Sequence, residues 1–235
     1  MSSFKLRFLA TLVVAVAMVP AGANAGIILA QWTLETNTPA DLLNSTTGPT
    51  VIAEAGVNLG LLSGSHTSAS SDWTTPAGNG SANSYSSNEW ALGDYYVAST
   101  STVGYDTLTL TFDATSSNTG PRDFKIQGST DGINFSDTGF SYSIVANATP
   151  NSWNATTALP IHPYTTPLPF SLDNQGSIQL RMVVLTTVSA NGGVLALGGT
   201  HRIDNIIIMG DLAIPEPASI ALLFSCVGAL LVCRR

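Results

Sequence analysis

Residues 105–112 read YDTLTLTF, and this strict alternation constrains the fold more than any other stretch. Leu108, Leu110 and Phe112 point to one side of an extended strand, and Thr107, Thr109 and Thr111 point to the other. A helix would scatter these side chains around its axis, so the segment is a strand with one buried face. Similar β-rich character recurs at residues 27–34, 95–97, 124–128, 140–146, 178–186 and 201–209. The continuous Met182-Val183-Val184-Leu185 run predicts a buried central strand. Asp131-Gly132 between β-forming residues predicts a hairpin turn leading into a strand at 133–135. Residues 170–172 predict a further short strand. Residues 51–62 predict strand segments broken by Gly56 and Gly60. Residues 63–87, rich in Ser, Asn and Gly, predict a long surface loop or short edge pieces, with Trp73 alone in the middle. Prolines confine residues 149–169, which hold Trp153, to loops or sheet edges. No segment between the two ends of the chain shows a convincing helical period. The expectation is an all-β fold, a jelly-roll-like β-sandwich with long crossing connections.

The two ends read differently from the middle. Lys5 and Arg7 precede a short apolar stretch at 9–19, and Ala23 and Ala25 put small residues before Gly26. This is the pattern of an export signal cut by signal peptidase ahead of Gly26. At the other end, Pro215-Glu216-Pro217 leads into an apolar run from Ala218 to Cys233, followed by Arg234-Arg235. The prolines stop any preceding regular structure. Sixteen to eighteen helical residues span roughly 24–27 Å, the short end of a bilayer crossing, and the arginines mark its cytoplasmic side. The reading is residues 1–25 as signal peptide, 26–211 as extracellular sandwich, and 212–235 as a tail with one transmembrane helix.

Pro215-Glu216-Pro217, the apolar run and the terminal arginines together resemble the PEP-CTERM sorting signal of Gram-negative bacteria. The resemblance implies an exosortase as partner. That enzyme would cut near the Pro-Glu-Pro and pass the chain to an extracellular surface material. Cys226 and Cys233 depart from the usual Leu, Gly and Ala pattern of such tails. A second likeness covers roughly residues 90–210. Thr119-Gly120-Pro121, Phe124-Lys125-Ile126, residues 129–135, Leu180-Arg181-Met182 and residues 202–206 are similar to jelly-roll modules of exported PEP-CTERM proteins. Some of those modules are compared with carbohydrate-binding domains. The two likenesses imply a cell-surface or extracellular-matrix protein with a structural or adhesive role, or alternatively a displayed carbohydrate-binding module whose partner is a polysaccharide.

Charge excludes some partners. Between Gly26 and Ile214 only Arg122, Lys125, Arg181 and Arg202 are basic, against fourteen carboxylates. Nucleic acids and anionic membranes require basic patches, so neither is expected to bind this domain. Both cysteines lie in the tail, so the domain stands without a disulfide. His66, His162 and His201 fit no metal-protease spacing, and no GxSxG elbow occurs, so no catalytic residue is expected. Trp73 and Trp153, set in polar loops, are the candidates for stacking on a sugar, with Trp90, Tyr95, Tyr96 and Tyr164 as further aromatics. A structural Ca²⁺ would draw on Asp131, Asp204 and Asn205 as oxygen donors. The competing reading has Asp131 shaping a turn and Asp204 pairing with Arg181 or Arg202. No other cofactor is expected.

Overall fold

The computed structural model describes residues 26–213. Ala23, Ala25, Pro215, Glu216, Pro217, Arg234, Arg235 and the expected transmembrane segment therefore lie outside the described residues. Among the described residues, no helix is long and apolar enough to cross a membrane.

Two antiparallel sheets carry the fold. The first contains β1 (Ile27–Trp32), β4 (Trp73–Thr74), β5 (Tyr85–Ser87), β7 (Tyr105–Ser116), β10 (Pro163–Pro167) and β12 (His201–Leu212), in the order β10-β7-β12-β5-β4. On its free side β12 pairs with β5 through its first residues and with β1 through its later ones. The second sheet runs β2-β3-β6-β11-β8-β9, built from β2 (Val51–Ile52), β3 (Leu61–Ser65), β6 (Tyr95–Thr100), β8 (Asp123–Ser129), β9 (Ser136–Ser143) and β11 (Ile178–Val184). From β5 onward the chain crosses between the layers at nearly every connection.

The alternation in β7 acts as expected: Leu108, Leu110 and Phe112 are buried between the sheets, while the three threonines face outward. β11 is central in its sheet, flanked by β6 and β8. Its Ile178, Leu180, Met182 and Val184 point into the core, leaving Gln179 and Arg181 on the outer side. β10 is an edge strand with a proline at each end, where a missing N–H costs no ladder bond.

Of the two readings of residues 63–87, short edge pieces is the one found: β4 and β5 lie there at one side of the first sheet, and Ser71, Trp73 and Ser84 to Ser87 are buried. Two local expectations need correction. Residues 133–135 belong to the turn between β8 and β9, because the Asp131 carboxylate draws the backbone N–H groups of Ile133 and Asn134 into it. Residues 170–172 form one 3-10 turn, and Leu172 N donates to Pro169 O there.

Candidate functional site

The outer faces of the two sheets differ. Over the first sheet, residues 76–84 and 146–162 fold down as a lid and interlock. Asn79 accepts from Leu159 N at 2.7 Å, and Gly80 N donates to Asn154 O at 3.0 Å. The second sheet keeps a row of partly exposed side chains. Tyr95 and Val97 from β6, Gln179 and Arg181 from β11, Lys125 and Gln127 from β8 and Asp137 from β9 all point outward. Strand alternation alone brings them to one face.

Arg181 anchors this face. Its guanidinium carbon lies 4.1 Å from the Tyr95 ring centroid and 3.5 Å from that of Phe135. Cations at this range are held by the ring quadrupoles, so the guanidinium is held against both rings. Arg181 Nε is buried there with no hydrogen-bond partner among the described residues. Beside it, Asp137 accepts from Gln127 Nε2 at 2.7 Å and pairs with Lys125 at 2.9 Å. Two shallow depressions of ≈ 250 and ≈ 260 Å³ continue along the β8–β9 hairpin, sharing Ser141 and Leu185.

The carboxylates of this face remain ionised. The Gln127 hydrogen bond, with Lys125, holds Asp137 below the usual carboxylate range. Asp123 falls to about 2, first through its hydrogen bonds from Arg122 and then through those from Thr186 and Ser143. Neither holds a proton to donate near neutral pH, as a general acid must. The face offers ring surfaces, donors and fixed charges, which suit binding.

The other acidic pair is sealed in. Asp113 and Asp204 are cross-strand partners in β7 and β12, both buried under the lid. Asp204 accepts from Asn79 N at 2.9 Å, Ser81 Oγ at 2.6 Å and Asn205 N at 2.7 Å. Burial, with the Asp113 charge as a lesser cause, pushes Asp204 up to about 7. Two carboxyls with such an environment would suggest acid–base chemistry in a cleft, but these have no access to substrate.

The sequence-named residues are mostly placed elsewhere than expected. Trp73 is fully buried, its indole N–H donating to Ser45 O. Trp153 is 6% exposed and lies edge-on to His162 within the lid. Neither indole presents a face to a sugar, because Trp73 packs in the core against His66, Tyr85 and Tyr96 and Trp153 is buried against His162. Trp90 and Tyr96 are also buried, and Tyr164 is stacked on Phe112. Of the aromatics named, Tyr95 reaches the open face. Phe135, Arg181, Gln127 and Asp137 were missed as a group. The period-2 alternation of β8 and β11 was the available signal, but the pairing of those strands was not in it.

Asp131, Asp204 and Asn205 do not form one cluster. Asp131 caps the β8–β9 turn, accepting from Ile133 N, Asn134 N, Asn134 Nδ2 and Ser129 Oγ. Asp204 and Asn205 belong to the pair under the lid. Among the described residues no group of three or more His, Cys, Asp or Glu side chains could hold a metal ion. Asp204 also makes no ion pair with Arg181 or Arg202, and backbone and side-chain N–H and O–H groups take that place.

Two histidines share the core. His66 packs 4.1 Å and His201 5.4 Å from the Trp90 ring. His66 Nδ1 meets Ser71 Oγ at 2.9 Å and His201 Nδ1 meets Ser116 Oγ at 3.1 Å. These Ser–His pairs resemble nucleophile and base, yet all four residues are buried. Burial pushes His66 down to about 4 and His201 to about 3, so both stay neutral.

No protein-family model matches this chain, and no curated protein matches its sequence. Among solved structures, a cleaved adhesin domain of Lys-gingipain from Porphyromonas gingivalis is similar at 14% identity and a TM-score of 0.39, covering 77% of this chain and 97% of that one. The CBM22-2 xylan-binding domain from Paenibacillus barcinonensis is similar at 11% identity and a TM-score of 0.41, covering 77% and 98%. The N-terminal cellulose-binding domain of a Cellulomonas fimi β-1,4-glucanase is similar at 13% identity and a TM-score of 0.37, covering 81% and 100%. At this distance no residue role passes to the present chain.

Proposed function

We propose that this protein is an exported, non-catalytic binding module of the cell surface or extracellular matrix, and that it holds a polysaccharide across the outer face of its second sheet. One observation carries the reading. Arg181 lies between the Tyr95 and Phe135 rings on a strand row that no lid among the described residues covers, next to Gln127, Lys125 and Asp137. Partly exposed rings take the apolar face of a sugar, and the surrounding donors and acceptors take its hydroxyls. The same row has no protonated acid, which fits binding without hydrolysis. Affinity electrophoresis of the purified chain through gels containing xylan, β-glucan or an acidic polysaccharide tests this. Retardation by at least one of them, lost in Arg181→Ala and Phe135→Ala and kept in Thr109→Ala on the first sheet, is the expected result. Unchanged mobility in every gel refutes it.

The route to the surface is part of the same proposal. Residues 1–25 export the chain, and residues 212–235 hold it in the inner membrane until an exosortase acts at Pro215-Glu216-Pro217. The order of proline bracket, apolar run and terminal arginines supports this. Deleting residues 215–235 and fractionating cells tests it separately. Surface attachment that survives the deletion rules the tail out as the signal.

A further inference from the structure

One end of the sandwich gathers the loops around the point where the chain leaves β12. Leu212 pairs with Tyr105, and Ala213 N donates to Gly104 O at 2.9 Å. The loop after β6 is tied to the loop before β3 by Asn58 Nδ2 donating to Ser101 O at 2.7 Å. It is tied to the loop before β11 by Thr102 Oγ1 donating to Leu172 O at 2.7 Å. The β8–β9 turn reaches the same end, because Ser129 and Ser99 both pair with Gln179.

Each of these loops exposes a large apolar side chain: Val57, Leu59, Val103, Ile133, Phe170 and Leu212. Leu59, Ile133 and Phe170 are 85%, 82% and 87% exposed. They extend past the strand ends, and none of the described residues covers them. No lysine or arginine lies on these loops, whereas Asp131 and Asp173 do, and Asp106 and Asp211 stand at the adjoining strand ends.

Only residues 214–217 separate Ala213 from the apolar run that starts at Ala218. Four residues reach at most ~14 Å. We infer that, while the tail is intact, this end of the sandwich sits on the surface of a zwitterionic phospholipid bilayer, with Leu59, Ile133 and Phe170 dipping into it. The inference rests on the tail reading above, since it is the tail that sets the distance. Exposed apolar side chains gain by leaving water. The acidic, lysine- and arginine-free rim selects against an anionic surface, whose negative potential repels it.

The described domain has no cysteine, so single labels are straightforward. The full chain with Cys226→Ser and Cys233→Ser is placed in phosphatidylcholine vesicles containing brominated lipid. A polarity-sensitive fluorophore is attached at Leu59→Cys, Phe170→Cys or, as control, Val194→Cys. Val194 is 80% exposed but lies at the opposite end, so it matches the others in apolarity and differs in position. Bromolipid quenching and a blue shift at 59 and 170, absent at 194 and weakened by adding phosphatidylglycerol, are expected. If the chain floats with the vesicles but 59 and 170 are as unquenched as 194, the seating is wrong and the tail reading stands. If the chain does not float with them at all, the tail reading is wrong and the seating falls with it.

Discussion

Asp113 and Asp204 face each other across the β7–β12 pair, and the Asn205 carboxamide donates to both, at 2.9 Å to Asp113 and 3.3 Å to Asp204. Asn79 repeats the bridge from the lid, giving its backbone N–H to Asp204 and its Nδ2 to Asp113 at 3.1 Å. The lid over the first sheet is thus fastened through two carboxyls that share amide donors from Asn79 and Asn205.

That arrangement sets a pH dependence. Asp204 is raised from an ordinary carboxylate value to about 7. Between those values the folded state binds more protons than the unfolded one, so this group's contribution is full below about pH 4 and is lost as pH rises toward 7. The slope is at most roughly 1.4 kcal/mol per pH unit. Asp204→Asn is expected to remove that fall. Denaturant melts at pH 5 and pH 8 measure it, and an unchanged difference between them contradicts the assignment.

His201 works in the opposite direction. Burial depresses it to about 3, so below its unfolded value of 6.5 the unfolded chain takes the extra proton. Its contribution is complete above pH 6.5 and is lost as pH falls toward 3. His201→Phe, with a ring of similar size in an aromatic cluster, is expected to flatten the acid limb of the stability profile. Chemical denaturation between pH 4 and 7 tests this.

Trp73 is expected to behave as core. Trp73→Ala leaves a large void and costs about 3–5 kcal/mol. Gly64→Ala reaches the same ring from the other side, since its Cβ would stand 2.5 Å from the indole. Overpacking of this kind costs about 1–3 kcal/mol. Both variants lower the thermal midpoint. Neither, once folded at low temperature, shifts mobility in polysaccharide gels relative to wild type.

Arg181→Lys separates binding from folding. A lysine keeps the charge but loses the planar group that lies between Tyr95 and Phe135. Stability is expected to drop by less than about 1 kcal/mol, while retardation in the gels is lost. Full retention of binding in this variant shows that charge alone suffices.

Much of the layer architecture was readable in advance. Alternation in β7, the apolar run of β11 and the prolines flanking β10 report local burial and lost donors, which each residue carries with it. The hairpin at Asp131-Gly132 was equally plain, because its carboxylate acts within three residues. Residues 63–87 were legible only as two alternatives, a loop or short edge pieces. Their Ser and Asn side chains look solvated in sequence, but Asn79 and Ser81 bond to the distant Asp113 and Asp204. The tryptophans failed likewise, since a polar loop says nothing about what folds over it.

The sequence by itself determined that the chain is made of strands, that its domain carries an acidic surface without disulfides, and that its two ends differ from its middle. These follow from composition and from periods of two residues. Only the tertiary structure decided which sheet keeps an open face and which carboxyls meet. Arg181, Tyr95 and Phe135 are joined by strand pairing across long separations, and the Asp113–Asp204 pair exists only because β7 and β12 share a register. Register is a property of two segments together, so neither segment alone encodes the site.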